Sequence, residues 1–416
     1  MEDHKNLLYG KITFFLLSIS LLVGFFFNEE SAGSGGFIAD FNNTWGYVEA
    51  LRESFFVLPS NWVLHTPLHF IILSKVYIFI ENQYFLRLTF CVASAIIPFL
   101  FYLCLKINYP NINKNNLLIL ASLTFLFPSF RAGAIWANDH ISALFFFLLF
   151  LIYFLKWIKK SNFKKLTNDI YLQLLFLALA VYTRQYYALI YIFCMYIYFK
   201  QFSLLNFLKL SLIVFVLAIP GFFLIYYDPI LLKTTFDTKL QNTVLISSSI
   251  LSFYLIPIFF TILFLNNEKF VIEKKQQFIF ILFSLLTVFF LSFFFDYNYK
   301  VGGGYFLKLS YLLINNEIIF LISSAIGFIL LLNLAKENSD NILIISLMIF
   351  GFSAYMIFQK YFEPMFFFIF FLMIKSQISK IFLNNIKNIY FLFFYLGIYL
   401  ITAIINDIYK ITKTVL

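Results

Sequence analysis

At 416 residues the chain is long enough for two soluble domains, but 62% hydrophobic residues, only 12% charged residues and a mean hydropathy of +0.89 exclude an ordinary soluble protein. The net charge of +10 invites a nucleic-acid reading. The lysines, however, fall in short loops between apolar segments, where membrane topology accounts for them, and no basic stripe is left that calls for a nucleic-acid partner.

The chain opens with MEDHKNLLYGK and a long apolar run without a small-residue cleavage site, which predicts a retained first span. Further apolar segments run at roughly Leu86 to Leu105, Leu117 to Phe130, Ile141 to Leu155, Ile170 to Tyr182, Ala188 to Phe199, Leu208 to Tyr226, Val244 to Leu265, Phe278 to Phe295, Ile318 to Leu334, Ile342 to Phe358, Pro364 to Ile374 and Ile389 to Ile405. The expectation is therefore an all-α, polytopic membrane bundle with about 13 spans, forming a single integral domain over residues 1–416. Phenylalanine, at 62 copies, reads mostly as lipid-facing bulk. Cys91, Cys104 and Cys194 lie inside apolar segments without metal-ligand spacing and read as packing residues.

Between the first two spans lies the one large polar insertion of the first half, residues 28–85, expected to be an outer loop with interfacial helices. Within it Trp45, Tyr47, Leu51 and Phe55 recur at near-helical spacing, as in a helix lying flat on the bilayer. The apolar stretch Thr66 to Ile80 decides the orientation of everything after it. If it crossed, the cluster KWIKKSNFKK would lie outside, against the tendency of lysine to remain inside. It is therefore read as a short re-entrant or interfacial helix headed by Pro67, with a cytoplasmic N-terminus. All four arginines then reach the outer face of the cell membrane, together with Asp40, Asp139, Asp228, Asp237, Asp296 and Lys360. Arginine on that face suits bidentate recognition of phosphate. Gly302 to Gly304 lack the lysine and hydroxyl residue of a P-loop and read as a flexible turn. Pro98, Pro220 and Pro257 lie within spans and read as kinks.

Three constellations could carry chemistry on that face. Asp40 is either a general base for a hydroxyl acceptor or a helix cap, with Asn42, Asn43 and Thr44 as rival caps. In FPSFRAGAIWANDH, Arg131 and Asp139 bracket a turn that is either merely solvated or binds phosphate through Arg131 and sugar or metal through Asp139. In YTRQYY, Arg184 has almost no loop to hold it and either snorkels or meets an anionic headgroup; Lys360 in QKYFEP is similar in position, with Glu363 as a near partner. Glu49 and His65 are further candidates for substrate or metal contact. His65 and His69 stand four residues apart, a spacing that permits metal ligation on a helix, but no HExxH pattern surrounds them and interfacial hydrogen bonding is the better reading.

The order of these pieces resembles the GT-C superfamily of integral membrane glycosyltransferases, which use polyprenyl-phosphate or dolichyl-phosphate sugar donors. FIADFNNTWGYVEAL and LHTPLHFIIL look like that family's early catalytic aspartate, helix and proline-bearing surface element, FPSFRAGAIWAND like its next outer turn, and KYFEP like its late basic-Tyr-Pro start of a span. HTP with the later RQ is similar to the dolichyl-phosphate-glucose-dependent glucosyltransferase branch. The resemblance implies an inverting hexosyl or pentosyl transferase with Asp40 as catalytic base. It implies donor phosphate on Arg184 with Lys360 as the late basic residue, a lipid-linked or glycan acceptor, and a contact from Asp139; Arg131, as a further phosphate contact, and Glu49 and His65, as substrate or metal contacts, are candidates from the residues themselves. Asp40 is followed by Phe41 where the family often has a second acid, which leaves a divalent metal open. The rival from another class is a lipid-linked saccharide transporter or flippase, which requires charges buried at several depths of the bundle. A non-catalytic scaffold requires no convergence of these residues at all.

Overall fold

Apolar runs this long can satisfy their backbone groups in lipid only by forming helices or closed barrels, and helices are what forms: no strand occurs among the described residues. The computed structural model describes residues 2–31, 36–53, 65–160, 165–227, 239–265, 274–354 and 356–415. Asp228 and Asp237, expected on the outer face, lie outside the described residues. The chain divides into two compact units, Met1–Leu231 with Phe393–Leu416, and Leu232–Leu392.

The first unit carries α1 (Glu2–Phe26), α2 (Gly36–Glu53), α3 (Leu68–Ile80), α4 (Gln83–Ser94), α5 (Ile96–Asn108), α6 (Lys114–Ser122), α7 (Pro128–Ile135), α8 (Asp139–Ile158), α9 (Asn168–Thr183), α10 (Ala188–Gln201) and α11 (Leu204–Tyr227). Asparagine caps three of these helices. The side chains of Asn82, Asn113 and Asn138 accept hydrogen bonds from the backbone N–H groups of Phe85, Asn115 and His140, so each satisfies a donor the helix cannot. Pro128 stands at the first position of α7, where its missing N–H costs nothing. Ala95, three residues before Pro98, separates α4 from α5, whereas helix continues through Pro220 and Pro257.

Aromatic side chains fill the space between α8 and α10. Trp157 stacks on Phe202 and meets Tyr198 edge-on, while Phe147 packs on Phe150 and Tyr187. Inside a bilayer such packing stabilises by dispersion and fit, because lipid tails are as apolar as the side chains they replace. Phenylalanine is thus divided between lipid-facing positions such as Phe215, Phe222 and Phe223 and fully buried ones such as Phe101, Phe130 and Phe150. It is not lipid-facing bulk alone.

The second unit comprises α12 (Leu240–Leu265), α13 (Lys274–Ser292), α14 (Gly304–Ile314), α15 (Ile318–Glu337), α16 (Ser339–Phe350), α17 (Met365–Leu372), α18 (Gln377–Asn384) and the first residues of α19 (Ile386–Val415). Its centre is the pair α12 and α15, which approach closely along small residues. Ser249 and Ser323 share a hydrogen bond of 2.6 Å, the Ser324 hydroxyl donates to the Leu245 carbonyl at 2.9 Å, and Gly327 lies against the Ser248 carbonyl. Gly302 to Gly304 all have φ of +78°, and the Gly303 N–H donates to the Ile357 carbonyl at 2.8 Å. The Tyr305 N–H donates to the Gln359 side chain at 2.7 Å, so this glycine turn is docked against 357–359 instead of being the flexible turn its composition suggests.

Among the described residues, eight helices are long and apolar enough to cross a membrane, α4 and α5 counting together as Gln83–Asn108, or up to 10 if two bent pairs, Lys114–Leu126 with Pro128–Ile135 and Met365–Leu372 with Gln377–Asn384, each count as one span. The expected count of about 13 is not reached by this measure, since three of the apolar segments form helices of 16, 14 and 12 residues, shorter than the ~20 residues a straight crossing needs. Helix α3, with 13 residues, is shorter still than a span. His69 at its start bonds to the Ala137 carbonyl, and Arg87, within α4, bonds to the Ile135 carbonyl.

Candidate functional site

The candidate site is built at the end of the first unit where α8 begins and α9 stops. Asn138 caps α8, which places the Asp139 carboxylate on its first turn, at the positive end of the helix dipole. Helix α9 ends at Thr183, and Arg184 follows in extended backbone, leading into the short 3-10 turn Gln185–Tyr187. Its guanidinium turns back to α8 and donates from Nη2 to Asp139 Oδ1 at 2.7 Å, with both side chains 3% exposed. A second rung lies beside the first, His140 Nδ1 being 2.9 Å from the Tyr186 hydroxyl. Consecutive residues of α8 therefore hold alternate residues after α9.

The proline-bearing segment closes this corner. The Thr66 hydroxyl donates to the Val181 carbonyl at 2.9 Å, and His65 Nδ1 lies 3.4 Å from Arg184 Nη1. A guanidinium only donates, so Nδ1 is the acceptor there and the imidazole proton is assigned to Nε2. His69, four residues on, has a different task. Its Nε2 meets the Ala137 carbonyl at 2.9 Å and its Nδ1 the Ser142 hydroxyl at 2.8 Å. Burial pushes this imidazole down to about 4 against the opposing pull of the Asp139 charge. His65 and His69 do not form a metal pair: His65 precedes the helix, and both nitrogens of His69 are engaged. Among the described residues no three His, Cys, Asp or Glu side chains converge as a metal-ligand set.

Asp40 lies on α2, which packs over this corner. The Phe37 ring is 6.2 Å from that of His140, and the Phe41 ring 6.1 Å from that of Trp136. Asp40, between them in sequence and half-buried, flanks the inward stripe. It does not cap the helix, which begins earlier, at Gly36; the Glu30 carboxylate accepts from the N–H groups of Phe37 and Ile38 at 3.3 and 2.9 Å. Thr44 donates its hydroxyl to the Asp40 carbonyl at 2.7 Å. Glu49 is exposed farther along α2 and accepts from Trp45 Nε1 at 2.8 Å, outside the Arg184 cluster.

Arg131 is occupied differently. Its Nε and Nη2 donate to the two Glu29 carboxylate oxygens at 2.7 and 2.6 Å, and its other donors reach the Ser20 hydroxyl and carbonyl. This is a structural clamp between the end of α1 and α7. Arg87 completes the same end, stacked 3.6 Å over the Trp136 ring and donating to Asn28 Oδ1 at 3.1 Å. Lys360 belongs to the second unit, on the turn Gln359–Tyr361, with its ammonium 5.3 Å from the Phe358 ring centre. Reading the sequence missed Glu29, Glu30 and Tyr186. Two adjacent carboxylates directly after the first span were the available signal, since arginines near the same boundary need partners.

The corner thus supplies one buried cation held between a carboxylate and an imidazole, a hydrogen-bonded His–Tyr rung, and a half-buried carboxylate on the helix packed above. No family model matches this chain, and no curated protein or solved structure matches it either.

Proposed function

We propose that this protein is a membrane glycosyltransferase that moves a sugar from a polyprenyl-phosphate-type donor to a hydroxyl acceptor at the outer face of the cell membrane. The observation that carries the proposal is the buried Arg184, gripped by Asp139 and flanked by His65 where helices end, beneath the helix bearing Asp40. Asp40 takes the proton from the acceptor hydroxyl as that oxygen attacks the anomeric carbon. The bond from this carbon to the phosphate oxygen breaks with its electron pair leaving on the phosphate, and configuration inverts. Arg184 neutralises the charge that develops on that oxygen, in a dry setting where a fixed cation acts most strongly. Asp139 orients Arg184, and His65 contributes a polar edge. Arg131 and Glu49 are left out of the site.

In the first unit the buried charged residues, Glu30, Arg87, Arg131, Asp139 and Arg184, belong to one hydrogen-bonded end. A flippase needs such groups at several depths, so this distribution supports chemistry at a surface over passage through the bundle. The test is binding of a polyprenyl-phosphate sugar to the purified protein. Arg184→Gln is expected to weaken it by about tenfold to a hundredfold, the worth of a charge-assisted hydrogen bond. Unchanged affinity in a folded Arg184→Gln protein removes the phosphate role from Arg184.

A further inference from the structure

The end of the first unit opposite Arg184 is basic in a patterned way. Lys106 at the end of α5, Lys156 near the end of α8 and Lys200 at the end of α10 are all exposed. Each places its ammonium over a tyrosine ring one turn back on its own helix: Lys106 over Tyr102, Lys156 over Tyr153 and Lys200 over Tyr196, at 5.8, 5.3 and 4.9 Å. The connections at this end bring further lysines to the same level. Lys159 donates to the Asn108 carbonyl at 3.3 Å and ties α8 to the end of α5, while the Gly10 N–H donates to Asn115 Oδ1 at 2.7 Å and ties α1 to the start of α6. Exposed Lys11 and Lys114 stand next to that second tie. Asp169, paired with Lys160, is the acid bonded into this rim.

Positive charge alone would suit any polyanion. Two features restrict the partner to a bilayer. Tyrosine bodies beneath ammonium heads are how a membrane boundary is lined, with the apolar stem below and the charge among headgroups. Directly after Lys200, the start of α11 exposes Leu204, Leu205 and Leu208, which an aqueous polyanion gives no reason to present. An apolar step flanked by lysines fits the boundary between headgroups and acyl chains.

We infer that this rim is a binding surface for anionic phospholipid headgroups, with Lys106, Lys156 and Lys200 as its lipid contacts. The inference is independent of the sugar-transfer reading, because none of these residues belongs to that site.

The full-length protein in detergent micelles is titrated with dansyl-phosphatidylglycerol or dansyl-phosphatidylcholine, with energy transfer from its tryptophans as the signal. At about fivefold per lysine, the wild type is expected to prefer phosphatidylglycerol by roughly a hundredfold at low salt. The triple variant Lys106→Gln, Lys156→Gln, Lys200→Gln should lose that preference, and the matching triple arginine variant should keep it. High salt should erase it in the wild type, which decides the matter even where the glutamine variant does not fold. Equal affinity for the two lipids, a preference that survives salt or survives the glutamines, displacement by inorganic phosphate at the lipid's own concentration, or tighter binding of a single-stranded oligonucleotide would each overturn the inference.

Discussion

Glu29 and Arg131 are joined by two parallel charge-assisted hydrogen bonds of 2.7 and 2.6 Å, with side-chain exposures of 8% and 5%. A pair so enclosed is expensive to break from one side, because the remaining charge is left without a partner away from water. Glu29→Ala or Arg131→Met alone should therefore destabilise the protein by about 3–5 kcal/mol, which is a shift of roughly a hundredfold to several thousandfold in the unfolding equilibrium. Glu29→Leu combined with Arg131→Met removes both charges and leaves only packing to be repaired. The double variant should be much closer to wild type than the sum of the singles. Unfolding in mixed micelles with increasing denaturing detergent gives the four corners of this cycle. If each single substitution costs under about 1 kcal/mol and the two add, the pair is a solvated surface contact. Arg131 would then be available to a ligand, contrary to its assignment as a clamp.

Gly327 leaves no room for a side chain against the Ser248 carbonyl, so Gly327→Ala should destabilise the second unit by about 1–3 kcal/mol, seen as a lower thermal midpoint. Ala137 sits at φ +45° just past α7, where the Asn138 N–H closes back on the Gly133 carbonyl at 2.8 Å. Ala137→Gly relieves that left-handed strain and should stabilise by about 1 kcal/mol. His69 is held neutral, its pKa lowered from the ordinary 6.5 to about 4 by burial. Between those values the unfolded chain binds the extra proton, so stability is complete above 6.5 and declines as pH falls toward 4. Substituting His69→Phe should flatten that part of a stability-versus-pH curve, and an unaltered curve would mean that another group titrates there.

The helical class was legible because an apolar run in lipid has few other options, and the arginine-bearing end because lysine and arginine divide between different loops. Tertiary partnerships were less accessible. Arg131 and Arg184 look alike in sequence, each beside a short turn, yet one is saturated by Glu29 and Ser20 while the other lies between Asp139 and the half-buried His65. Which carboxylate meets which arginine depends on how the ends of α1, α7, α8 and α9 stack, and no local pattern encodes that. Helix length was hard to read for a similar reason. The run Ile342 to Phe358 is mostly apolar, but its helix ends at Phe350, and the chain then turns toward Gln359–Tyr361 instead of extending the helix. The glycine turn at 302–304 misled through composition, since the same freedom that permits flexibility also permits the close docking against Ile357.

The most direct trial of the central claim is sugar transfer by the purified, reconstituted protein from a panel of polyprenyl-phosphate sugars to hydroxyl acceptors, with Asp40→Asn run in parallel. The expected result is turnover of at least one donor with inversion at the anomeric carbon, abolished in an Asp40→Asn protein that still folds and still binds donor. Turnover that persists in Asp40→Asn, or donors that bind and are carried across the membrane unreacted, would contradict it.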